Sequence, residues 1–171
     1  PMPHFLGADF HLCDPSSLKY RKQFPSLGYH DEYVCDVVLA KLRPNDLLTM
    51  VGDCLVGKGA IELIKKFPCR KRLIAGNHEF EKGINFADLV GVVDEIHSSY
   101  KWRGRFNIVH IPPHPAHLRG KTIIHGHLHE VIIPDPRFIN VSLEATGYRL
   151  VQAEEIITGE YRSYRIPEVC T

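Results

Sequence analysis

The sequence predicts an α/β domain: strands alternate with helices in the first half, and the second half is richer in strands. Three observations carry this. Short apolar runs at 4–10, 46–53 and 71–75 are separated by segments with helical periodicity. From residue 92 the pattern changes to extended runs punctuated by turn residues. Several runs also end alike, in Asp or His beside glycine or proline. In an open α/β sheet, ligands bind just outside the carboxyl ends of the strands.

The chain has 171 residues, enough for one domain with a sizeable core, and a single domain over 1–171 is expected. Its formal net charge of +1 gives no bulk electrostatic case for a nucleic-acid or membrane partner. No apolar run approaches the ~20 residues of a membrane span. The five cysteines are odd in number, irregularly spaced and free of any Cys-x-x-Cys. That argues against a disulfide framework and for the reducing cytoplasm as the expected compartment. Histidine is the outlier, with 11 residues, several of them clustered.

Taken in order, the first strand (4–10) ends in Asp9-Phe10-His11. Residues i and i+2 of a strand share a face, so Asp9 and His11 can reach one point. The polar connection over 12–29 carries Lys19, Tyr20, Arg21 and Lys22. It reads either as a wall of a substrate pocket or as a solvated basic loop. His30-Asp31-Glu32 opens a helix, with Asp31 as its cap and Pro44 as its stop, in which Tyr33, Val34, Val37, Val38 and Leu42 share an apolar face. The second strand (46–53) ends in Gly52-Asp53, where glycine permits close backbone approach. A short helix is expected over 59–67.

The third strand runs into Gly76-Asn77-His78-Glu79, with Gly76 supplying a bend, and a weaker helix covers 84–90. Runs 92–102 and 105–111 read as strands joined by a hairpin at Arg103-Gly104. The second ends at His110, where Pro112-Pro113 stops the ladder; His114 and His117 follow in the loop. Strand 121–126 leads into His125-Gly126-His127-Leu128-His129, again with two histidines two apart. Strands over 138–145 and 160–166 close the sheet, with a helical turn at 151–157 between them.

The collected strand-end residues are Asp9, His11, Asp53, Asn77, His78, His110, His127 and His129. Their order and flanks resemble the calcineurin-like metallophosphoesterase superfamily. That family's blocks are Asp-x-His, Gly-Asp, Gly-Asn-His-Asp/Glu, a lone His after a strand, and Gly-His-x-His. The resemblance spans residues 4 to about 130, and Ile139-Asn140-Val141 with Gly147-Tyr148-Arg149 is similar to the tail of small bacterial and phage members. The chain departs from it at Leu12-Cys13, where many small members have Gly-His.

The resemblance implies two mixed β-sheets sandwiched by helices, with a dinuclear metal site at the strand ends. Asp9, His11 and His129 would hold one ion, and Asn77, His110 and His127 the other, with Asp53 bridging. His78 would bind no metal and would act as the general acid, making His78 and Asp53 the catalytic pair. Asn77, His78, His114 and Arg149 are the expected substrate contacts. Glu79 is either a supporting residue or a turn carboxylate, and His125 packs behind the ligands.

Imidazoles mixed with oxygen ligands suit two divalent ions, Mn2+ first, with Fe, Zn or Ni as alternatives. Two such ions with Asp9 and Asp53 give a bare site of about +2, which attracts a phosphate anion. The expected activity is phosphoester hydrolysis on a small substrate, with diesters favoured because the chain is short and lacks a cap domain. The alternatives are a phosphomonoesterase, a nuclease using a local patch of Lys19, Arg21 and Lys22, and a non-catalytic scaffold of the same fold.

Overall fold

A computed structural model of the protein describes residues 2–165. Strands β1 (His4–Gly7), β2 (Leu47–Met50), β3 (Arg70–Ile74) and β4 (Glu95–His97) run parallel. The short β9 (Val151–Gln152) pairs antiparallel with β1, giving a sheet of order β4-β3-β2-β1-β9. In the second sheet β5 (Ser99–Trp102) is antiparallel to β6 (Phe106–Val109), while β6, β7 (Thr122–His125) and β8 (Phe138–Asn140) are parallel. Its order is β5-β6-β7-β8. Both sheets are therefore mixed, and the expected α/β class is present.

Side-chain alternation explains how the sheets pack. Leu6, Ala8, Val51 and Ile74 point from the first sheet into a shared core with Phe106, Ile108, Ile124 and Ile139 of the second. Leu48, Met50 and Leu73 point to the opposite face, against Val34, Val38, Ile61 and Ile64 of the helices. Those helices are α1 (Leu27–Tyr33), which continues as a π-helical segment (Val34–Leu39), and α2 (Gly59–Lys65). The outer face of the second sheet is covered more thinly, by Leu118 and Ile133 over Ile123 and Phe138.

Several local expectations are corrected. The run 92–102 is divided: β4 belongs to the first sheet and β5 to the second, so the chain changes sheets at Ser98. Periodicity reports an extended backbone but not its partner. Residues 84–90 hold only a 3-10 turn (Phe86–Leu89), capped reciprocally by Asn85 and Asp88. The run 138–145 stops being a strand at Asn140 and becomes helix α3 (Leu143–Thr146), ended by Gly147 at φ +69°. Over 151–157 the chain forms β9 and then α4 (Ala153–Thr158). Residues 160–165 form no strand, and residue 166 lies outside the described residues. The first helix is capped by Ser26 and not by Asp31, whose carboxylate instead accepts from the Cys13 backbone N–H at 3.1 Å.

Candidate metal centre

Because β1, β2 and β3 are parallel, the loops that follow them emerge at one edge. The first two lie side by side: Asp9 N donates to Gly52 O (3.0 Å) and His11 N to Asp53 O (2.9 Å). Neither Asp9 and His11 nor His127 and His129 sit in strands, since β1 ends at Gly7 and β7 at His125. Asp9, His11, Asp53, His127 and His129 all have left-handed backbones, with φ from +48° to +71°. Residues 10 and 12 still bury in the core while 9 and 11 turn toward the site, so the two-residue spacing survives without a strand.

The loops bring together two clusters. Donor atoms of Asp9, His11 and His129 lie within 4.8 Å of one another, and so do those of Asp53, His110 and His127. Asp9 Oδ1 is 3.9 Å from His11 Nε2 and 3.8 Å from His129 Nε2. His110 Nε2 is 3.0 Å from Asp53 Oδ2, the contact that raises the pKa of the ring. With ligands near 2.1 Å, the edges of a coordination polyhedron are about 3.0–3.6 Å, so the Asp53–His110 separation matches and the two at Asp9 are a few tenths of an ångström wider. Asp9 Oδ1, His11 Nε2, Asn77 Oδ1 and His110 Nε2 are buried with no hydrogen-bond partner. His110 Nδ1 donates to Val51 O at 2.9 Å, which aims the other ring nitrogen at the Asp53 carboxylate. Buried polar atoms without protein partners beside His/carboxylate clusters fit a cation as their partner. The two clusters can each hold a metal ion.

Glycine makes room for these groups. A Cβ on Gly76 would lie 2.2 Å from Asp53 Oδ1 and 2.5 Å from its backbone nitrogen. Gly76 is not in the left-handed region, so close approach, not a bend, is what requires it there. A Cβ on Gly52 would meet the His110 ring at 2.3 Å.

Behind the first cluster stands a layer of charge that sequence reasoning missed. His11 Nδ1 donates to Asp14 at 2.8 Å, and Asp14 in turn accepts from Lys82 Nζ at 2.7 Å and Ser16 Oγ at 2.6 Å. His129 Nδ1 donates to Glu144 at 3.0 Å, and the same carboxylate oxygen accepts from Arg21 Nε at 2.7 Å. Such carboxylates fix the ring's tautomer and strengthen the opposite nitrogen as a ligand. Arg21 is 2% exposed and also donates to the carbonyls of Asp9 and Phe10. Asp9 Oδ2 accepts from Ser142 Oγ (2.7 Å) and His127 N (2.9 Å), which leaves Oδ1 as the free donor. Asp14 stands three residues from His11, a spacing that signals its contact; nothing local in the sequence links Glu144 or Arg21 to the site.

These contacts set the titration behaviour. Burial opposes ionisation of Glu144, but its bonds to His129 and Arg21 prevail and hold its pKa at about 2. The same bond raises His129. Burial would lower His110, yet the Asp53 contact and the charges of Asp9 and Asp53 push it up to about 9. Burial lowers His127, helped by the charge on His110.

No protein-family model matches the chain, and neither does any curated protein. Among solved structures, the Aquifex aeolicus protein of unknown function AQ665 superposes with a TM-score of 0.70 at 20% identity, covering 91% of this chain and 98% of that one. The two share a fold. The Pseudomonas putida nuclease MPE matches with a TM-score of 0.43 at 21% identity, over 74% of this chain and 60% of its own.

The remaining expected site residues divide. His78 reaches the centre: its backbone N–H donates to Asp53 Oδ1 (2.8 Å), its Nε2 lies 3.9 Å from Asp53 Oδ2, and its Nδ1 pairs with Glu81 at 2.7 Å. Glu79 is fully buried and joins two loops by accepting from Cys54 N (2.6 Å) and Gly76 N (2.7 Å). Burial, with the charge of Asp53, raises its pKa. His125 is buried with Nδ1 on Gly126 O (2.8 Å) and Nε2 unpartnered, outside both clusters. Arg149 is not at the site: it pairs with Glu155 at 2.9 Å and lines a separate cavity with Phe5 and Lys41. His114 accepts from the Ala116 N–H of its own turn and faces His117 across 6.3 Å, in an exposed loop lining neither cavity beside the clusters. Neither Arg149 nor His114 therefore lies among the residues that the clusters bring together.

Proposed function

We propose that the protein is a metal-dependent phosphoesterase that prefers phosphodiesters. The observation that carries this reading is the pair of adjacent His/carboxylate clusters with buried, unpartnered donor atoms turned inward. Only Asp9 and Asp53 bring formal charge among the proposed ligands, so two divalent cations would leave a positive centre suited to a phosphoryl group. Asp9, His11 and His129 would hold one ion; His110, His127 and Asn77 the other, with Asp53 between them. Mn2+ leads the expected metals by the chemistry of this donor set. Bound there, the cations would polarise the phosphoryl oxygens and lower the pKa of a water.

The chain's own residues supply the rest. Asp53 is anchored by the His78 backbone N–H, so one residue sets both the second cluster and the acid beside it. His78, half-exposed, holds Nδ1 on Glu81 and leaves Nε2 free to give a proton to the departing oxygen. Asn77 and His78 border the substrate phosphate. Arg21 is turned inward and neutralised by Glu144, which removes the middle of the basic patch a nuclease would use.

The test is a screen of Mn2+, Ni2+, Zn2+ and Fe2+ against bis-p-nitrophenyl phosphate and p-nitrophenyl phosphate. The diester should be turned over faster. His78→Ala should lower kcat about 10²- to 10⁴-fold while metal content stays at two ions per chain. Absence of turnover with every metal overturns the reading, and full activity in His78→Ala removes the acid.

A further inference from the structure

We infer that the cavity beside His129 seats an aromatic, nucleoside-type arm of the phosphodiester, an assignment that rests on the phosphodiesterase reading above. The cavity measures about 650 Å3, inside the range of small-molecule sites. His129, a residue of the first cluster, and Glu144, which supports it, are among its lining residues. A smaller cavity of about 200 Å3 shares Tyr20, Arg21, His129 and Glu144 with it and extends to His11 and His78. A phosphoryl group held at the clusters therefore has room for one ester arm toward the large cavity and for a smaller arm toward His78.

The walls indicate the chemistry of the larger arm. Tyr20 and Tyr148 line it, the Arg21 guanidinium lying 5.7 Å over the Tyr148 ring, and Leu128 and Val131 add apolar surface. Tyr20 is 84% exposed, yet its neighbour Arg21 is buried and bonded to Glu144 and Phe10 O. The strap is thus pinned while the tyrosine is presented to solvent. Tyr148 is also fixed: Gln23 Nε2 donates to its hydroxyl at 2.9 Å, and its ring meets Phe24 and Tyr33 edge-on at 5.8 and 6.0 Å. A tyrosine held as Tyr148 is binds an aromatic ligand with little loss of conformational entropy.

Charge separates a neutral arm from a polyanion. Arg21 is compensated by Glu144, and Glu130 adds a negative charge. Among the residues lining the larger cavity no uncompensated Lys or Arg remains to meet a further phosphate, whereas Lys19 lines the smaller one. A nucleobase, stacked on tyrosine and carrying no charge, fits the larger cavity's walls better than a further phosphate does.

Two diesters with the same leaving group test this: thymidine 5′-(p-nitrophenyl phosphate) and methyl p-nitrophenyl phosphate, with the Mn2+-loaded full chain. The nucleoside ester should show at least about tenfold higher kcat/KM, and Tyr20→Ala and Tyr148→Leu should each lower that value about 5- to 100-fold. Tyr29→Ala, an exposed tyrosine outside the cavity, should keep the preference. Equal kcat/KM for the two esters in the unmodified protein overturns the assignment. So does a loss of equal size on the methyl ester in Tyr20→Ala, which would reveal a structural role. Tyr20 is exposed, so its variant decides even where Tyr148→Leu fails to fold. If neither diester is hydrolysed with any metal, the phosphodiesterase reading falls, and this assignment falls with it.

Discussion

Arg21→Met in the metal-free protein is the sharpest probe of how the centre is held. The guanidinium is 2% exposed and bonded to Glu144 Oε1 at 2.7 Å, Phe10 O at 3.1 Å and His30 Nε2 at 2.8 Å. The other Glu144 oxygen is buried without a partner, so removing Arg21 leaves a largely buried carboxylate with His129 as its remaining side-chain donor. Breaking one side of such a pair costs about 3–5 kcal/mol. The titration of Glu144 gives a second figure. Its pKa sits near 2 instead of 4.5, a preference for the ionised form worth about 3 kcal/mol, shared between His129 and Arg21. The sign follows: a depressed carboxylate pKa contributes fully above pH 4.5 and is lost as pH falls toward 2. In an Arg21→Met/Glu144→Gln double variant no stranded charge remains, so the combined loss should fall short of the sum of the single losses by about 1–3 kcal/mol. Urea unfolding followed by circular dichroism at pH 7 in chelator measures all four proteins. A loss below about 1 kcal/mol for Arg21→Met, or strict additivity in the double variant, refutes the argument.

Further outcomes follow from the same geometry. Gly76→Ala places a methyl against Asp53 backbone and carboxylate, and should cost about 1–3 kcal/mol and weaken metal binding at the Asp53 cluster, read by melting and metal titration. Added Mn2+ at about 100 times its Kd should raise stability by about 2.7 kcal/mol per site and chelator should reverse the gain; a melting temperature indifferent to Mn2+, Ni2+ and Zn2+ would contradict two cation sites. His110, held at about 9, carries a proton at neutral pH in the metal-free protein, so a cation at the Asp53 cluster must displace it. Affinity there should climb as pH rises toward 9, with proton release visible by calorimetry in buffers of different ionisation heat. Unchanged affinity between pH 6 and 8 would show that no proton on His110 competes with the cation there.

The strand-end residues were legible because chemistry concentrates there: Asp-x-His, Gly-Asp, Gly-Asn-His and Gly-His-x-His each stand out against apolar runs. The parallel strands were legible for the same reason, each run being short, apolar and bounded by turn residues. The reason for the two-residue spacing was not legible. It was read as strand alternation, whereas left-handed backbone at residues 9, 11, 127 and 129 produces it. The sheet change at Ser98 was hidden because both strands have the same period. The supports Glu144 and Arg21 were hidden because their contacts span 15 and 123 residues of sequence, and a polar loop rich in Lys and Arg gives no sign that one cation folds inward.

The same backbone that conceals the geometry argues for its purpose. A non-glycine residue in the left-handed region costs about 1–2 kcal/mol, and five proposed ligands sit there. Part of that cost is offset locally: the Asp9 and Asp53 loops share backbone hydrogen bonds, Ser142 holds Asp9, and the His78 N–H holds Asp53. Asp9 Oδ1, His11 Nε2, Asn77 Oδ1 and His110 Nε2 nevertheless stay buried and unpartnered. Apolar residues of similar size would avoid that penalty, and a relaxed backbone would avoid the strain. Strain, buried acceptors and glycines with no room for a methyl all converge where loops from the strand ends of the two sheets meet, whereas Leu48, Met50 and Leu73 of the first sheet pack into an apolar core. Destabilising features concentrated where ligand-type side chains meet favour function over packing as the reason for them. A cation bound at each cluster would relieve the unpartnered donors there.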